Sequence, residues 1–105
     1  MIAKITPADV IARLEADAKG LTVDDTYFPF FTDISGALDL LALIPNDRPV
    51  LRRVVGARAL RDRAGNHLYS WRRLGALIGA SPMEVQRWHA QGIDMIVVAM
   101  NAKDK

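Results

Sequence analysis

Between Ser81 and Gln91 the chain reads SPMEVQRWHAQ, a stretch rich in side chains able to read the edges of base pairs. Gln86 and Gln91 can each bond an adenine in two places, Arg87 can do the same to a guanine, Glu84 can accept from a cytosine amine, and Met83 can touch a thymine methyl. On a helix starting at Pro82, these residues and Ala90 face away from Val85 and Trp88, so one side packs and the other reads. Nearby, Tyr69, Ser70, Arg72, Arg73 and Ser81 are types that hold phosphate, and Arg52 and Arg53 offer further anchors upstream. The chemistry in prospect is recognition of double-stranded DNA. Glu84 is its awkward member: near phosphate it repels, unless it reads cytosine or pairs with an arginine.

Catalysis has far less to stand on. His89, next to Trp88, lacks the nucleophile elbow, phosphate loop or metal-ligand spacing that would give a base something to do. The sequence has no cysteine and only two histidines, His67 and His89, so neither a thiolate metal site nor an unaided zinc site is expected. We expect no enzyme, no cofactor and no metal. His89 reads as a helix-face residue within reach of a phosphate.

The elements that must position these residues are legible around LGALIGASPMEVQRW, Leu74 to Trp88. Ser70 can cap a helix over Trp71 to Ile78, Gly79 can end it in the left-handed conformation, and Ser81 with Pro82 can open the next. Two helices joined so briefly cross steeply, which requires a small residue at the crossing, and Gly75 is placed there. Leu74, Ile78, Val85 and Trp88 fall at the positions that bury side chains between the helices. This is the pattern of a DNA-binding helix-turn-helix. The bland alternative is a packed helical hairpin without a ligand.

The segment LYSWRRLGALIGASPMEVQRWHAQGID resembles the helix-turn-helix of RNA polymerase sigma factor region four. It is more similar still to a bacterial and phage domain family of uncharacterised function, whose members end on SWRRLG, a turn and VQRWHAQGID. The matching residues are Ser70 to Gly75 and Val85 to Asp94, with a looser match upstream to Ala37. The resemblance implies DNA binding in a phage or prophage context, and it does not cover the N-terminal part.

Upstream, Thr6-Pro7-Ala8-Asp9 predicts the start of a helix over about residues 7–19, stopped by Gly20. Tyr27, Phe28, Phe30 and Phe31 around Pro29 read as residues that seal the core rather than as a peptide-binding patch. Thr32 or Asp33 caps a second helix to about Ile44, and Asp47-Arg48-Pro49 restarts the chain as a third to about Leu60, leaving Arg48, Arg52 and Arg53 in water. Gly65 and Asn66 form a turn, and His67 to Tyr69 allow at most a short hairpin. The expected fold is all-α, a bundle of about five helices in a single domain spanning residues 1–105.

Charge divides that domain. Before Arg48 there are three basic residues against eight acids, and from Arg48 onward eleven against four, so a net charge of −5 is followed by one of +7. Such asymmetry points to a polyanionic partner for the C-terminal part. At the far end IDMIVVAM is apolar on nearly every side and requires cover, from the acidic N-terminal helices or from a second copy. We expect a homodimer or higher homo-oligomer, because paired modules double the contacts to DNA. No apolar run is long enough to span a bilayer and no secretory signal is visible, so a cytoplasmic, unprocessed protein without membrane contact is the expectation.

The leading expectation is a phage or prophage transcription regulator. Its alternatives are a small terminase subunit, which would engage the terminase large subunit during DNA packaging, and an interaction module gripping RNA polymerase.

Overall fold

The computed structural model describes residues 4–19, 39–62 and 64–103. Among these residues the chain is all-α, with no strand beyond a single antiparallel bridge between Arg61 and His67.

Helix α1 (Pro7–Ala18) begins as its sequence predicts. The Thr6 hydroxyl accepts from the Asp9 N–H at 3.2 Å while the Asp9 carboxylate accepts from the Thr6 N–H at 2.9 Å, satisfying two orphan donors reciprocally. The bonds from the Thr6 backbone and side chain hold the Asp9 carboxyl below its usual range. Val10, Leu14 and Ala18 recur at helical spacing and are buried.

The aromatic cluster around Pro29 and the Thr32 or Asp33 cap lie outside the described residues. The end of the expected second helix is described and is a 3-10 turn, Asp39–Leu43, rather than α-helix. It buries Leu40 and Leu41 and leads to the buried Ile44 and to Pro45, where the geometry of a preceding proline ends helical structure. Helix α2 (Pro49–Ala59) places its proline in the first turn and buries Leu51, Val54 and Val55. A turn from Asp62 to Asn66 follows, closed by the Asp62 carboxylate accepting from Ala64 and Asn66 N–H groups. The hairpin that the sequence allows is therefore one bridge long.

Helix α3 (Trp71–Ile78) and helix α4 (Pro82–Lys103) complete the fold. At 22 residues α4 is about 33 Å long at 1.5 Å per residue, and it packs against α1, α2, α3 and the 3-10 turn. It runs through Gly92 unbroken. A Cβ at Gly92 would lie 2.6 Å from Val55 Cγ2, so the glycine serves close approach of α4 to α2 and makes no kink. Near its end Asn101 accepts from the Ile5 N–H at 2.9 Å and donates to the Ile5 carbonyl at 3.2 Å, tying the two ends of the described chain together. The apolar tail is covered mainly from inside the molecule: Ile93 and Ile96 are buried, Met95, Val97 and Met100 are half-buried, and Val98 remains 67% exposed.

Candidate nucleic-acid interface

The interface candidate is built on the connection between α3 and α4. Ser70 caps α3 by accepting from the Arg73 N–H at 3.1 Å. Gly79 ends the helix with φ of 83°, and its N–H and that of Ala80 both donate to the Gly75 carbonyl at 2.8 Å. A side chain at Gly75 would collide with the Ala80 carbonyl, so the turn folds over a position that tolerates no Cβ. Leu74 and Val85 are fully buried in the core, and Ile78 and Trp88 are half-buried against it.

Within α4 this packing sorts the side chains. Met83, Glu84, Gln86, Arg87, Ala90 and Gln91 are all exposed, Met83 to 72%. Glu84 is nevertheless engaged: its backbone N–H donates to the Ser81 hydroxyl at 3.1 Å, and its carboxylate accepts from the Ser81 N–H and hydroxyl at 3.4 Å. Among the described residues it pairs with no arginine, and its side chain stays exposed. The pair is a capping box, and the Ser81 hydroxyl expected to hold phosphate is committed to it. Farther along, Arg87, Ala90 and Gln91 border an open groove of about 560 Å³ whose opposite wall includes Pro7 and Ile11 of α1.

Among the expected phosphate contacts, Ser70, Arg72 and Arg73 are exposed at the start of α3, with the Arg73 guanidinium 5.2 Å from the Tyr69 ring. Tyr69 itself is a correction. Its side chain is fully buried in the core and presents nothing to a phosphate, because the segment before α3 turns it inward. Arg52 and Arg53 differ from expectation as well, being half-buried rather than in water. Arg52 donates from Nε at 2.8 Å and Nη2 at 2.5 Å to the Ile44 carbonyl just after the 3-10 turn, and the Arg53 Nε is buried with no partner among the described residues.

His89 also turns inward rather than toward a phosphate. Its ring meets Trp71 edge-on with centroids 5.1 Å apart, and burial, reinforced by the Arg58 charge, pushes its pKa down to about 4. It is neutral near pH 7. Beside it lies a cluster that spacing did not foretell: Arg58, His67, Trp71 and His89 around a cavity of about 220 Å³. Its members come from three separate stretches of chain, so no local motif signals it.

Among the described residues no group of three or more His, Asp or Glu is placed to hold a metal ion, and no helix is long and apolar enough to cross a membrane. Comparison with known protein families, with characterised proteins and with solved structures finds no match. No family is shown for this chain.

Proposed function

We propose that the chain is a sequence-specific double-stranded DNA-binding protein, a transcription regulator of phage or prophage type, in which α3, Gly79–Ser81 and α4 act as a helix-turn-helix. One observation carries the reading: with Val85 buried and Trp88 half-buried against the core, Met83, Gln86 and Arg87 are exposed together on the first turns of α4. These turns enter the major groove, with Gln86 and Arg87 reading bases and Arg72 and Arg73 setting the register on phosphate. Arg87, Ala90 and Gln91 border the groove shared with α1 and contact DNA where the duplex clears that helix.

The test is selection of bound sequences from a random duplex pool, followed by anisotropy titrations on the best site. With two arginines on phosphate, the log-log slope of affinity on salt is expected near roughly −2 per chain. Arg87→Ala should weaken the selected site by about 1–3 kcal/mol and relax its sequence preference, while Arg72→Ala should weaken all sequences alike. Affinity indifferent to salt would refute DNA binding. Retention of DNA by a Gln86→Ala, Arg87→Ala double variant would instead favour the module that grips RNA polymerase.

The exposed Val98, in a groove with Leu43, Pro45 and Met95, supports pairing of two copies through the distal half of α4. A dimer fits regulation through two half-sites. A large ring would favour the packaging role of a terminase small subunit.

A further inference from the structure

The cavity beside His89 has an apolar floor and a charged rim. Ile11 and Leu14 of α1 and Val55 and Ala59 of α2 supply the floor. Arg58 also lines the cavity, with its guanidinium stacked 4.0 Å from the Trp71 ring, and among the described residues it donates from Nη1 to the Tyr69 carbonyl at 2.9 Å.

The charges at the rim do not cancel. Glu15 is the carboxylate in the lining, and it is bound by Arg61, whose Nε lies 2.6 Å and Nη2 2.5 Å from the same oxygen. Among the described residues Glu15 is thus the carboxylate acting on the half-buried Arg58, and its hydrogen bonds go to Arg61. Burial pulls the Arg58 pKa below the ordinary value, and Arg58 still remains a cation. His67 accompanies it, with Nδ1 3.0 Å from the Arg58 carbonyl, so Nδ1–H donates there and the other ring nitrogen is left as an acceptor. With both histidines neutral, the rim carries one uncompensated positive charge over an apolar floor.

The geometry points to this cavity as a binding site for a small monocarboxylate with a compact apolar body, its carboxylate on the other N–H groups of Arg58 and its body between α1 and α2. Planar, paired N–H donors suit a carboxylate. Size sets the class of ligand: a cavity of roughly 150 Å³ admits benzene, so about 220 Å³ takes one ring and a carboxylate. Inorganic phosphate would leave the floor uncovered, and an uncharged ring would leave the rim charge unmatched.

The test uses the full chain without DNA, so its result is independent of the reading given to α4. Phenylacetate, phenylacetamide and inorganic phosphate are titrated separately, following the Trp71 indole and His89 ring signals by NMR. Phenylacetate is expected to saturate with one site and a dissociation constant roughly in the millimolar range, as its size allows. The amide and phosphate should bind at least about tenfold more weakly, the loss expected from removing one charge-assisted bond or the apolar body. Equal response to acid and amide overturns the assignment, as does no saturable shift at about 10 mM acid. Arg58→Gln should reproduce the loss with the acid, and undiminished binding to that folded variant also overturns it. Because the acid and amide are compared on the unaltered protein, the proposal can fail whether or not the variant folds.

Discussion

Glu84 stands among the side chains proposed to face DNA, where a free carboxylate would repel phosphate. Its contacts with Ser81 turn that charge toward the positive end of α4, where it stabilises the helix. Glu84→Ala is accordingly expected to lower stability by about 0.5–1 kcal/mol in urea unfolding, and Ser81→Ala by about 1 kcal/mol. An unchanged midpoint in both variants would remove the cap from the account. His89 sets a pH dependence. Its folded pKa of about 4 lies below its unfolded value of 6.5, so between these values the unfolded chain binds a proton that the folded chain refuses. Its contribution is thus full above pH 6.5 and is lost as pH falls toward 4, at up to about 1.4 kcal/mol per unit. His67, shifted down by burial and then by Arg58, acts in the same direction. Chemical unfolding across this window should show the slope, and His89→Gln should flatten it; an equal slope in the variant would assign it elsewhere.

Caps and breakers made the short elements readable. Ser70, Gly79, Ser81 and Pro82 act within one turn of their own position, and α3 begins and ends where they predict. Gly75 and Gly92 are harder cases, since each serves a contact with another part of the chain. At Gly75 the obstruction is backbone, the Ala80 carbonyl, which cannot rotate away; Gly75→Ala should cost more than about 2 kcal/mol and disturb the turn. At Gly92 the obstruction is the Val55 side chain, so Gly92→Ala should be rescued in part by Val55→Ala. A thermal double-mutant cycle would show this coupling, and strictly additive losses would deny it. The 3-10 turn at Asp39–Leu43 escaped prediction because apolar residues at these spacings suit either helix type. The Ile44 carbonyl just after it is bound by Arg52, on the next helix.

At the scale of the molecule, α4 serves two purposes. Its first turns carry the exposed polar face, and its remainder passes against α1, α2 and the 3-10 turn before Asn101 closes onto Ile5. The exposed Val98 lies toward that far end, distant in sequence from Gln86 and Arg87. Sedimentation is expected to give a dimer that Val98→Glu dissociates, with DNA affinity falling as the second half-site is lost. A monomer before substitution would sink this arrangement.

The amino-acid sequence alone determined the all-α class, the ends of α1, α2 and α3, and the outward set on the first turns of α4, because helix periodicity and caps act over four or five residues. Tertiary structure decided which polar side chains remain available. Tyr69 went to the core and Arg52 to the Ile44 carbonyl, across distances in the chain that no spacing rule spans. The cavity lined by Arg58, His67, Trp71 and His89 exists only where α1, α2, α3 and α4 meet. Side-chain chemistry was written locally, but its surroundings came from residues far along the chain.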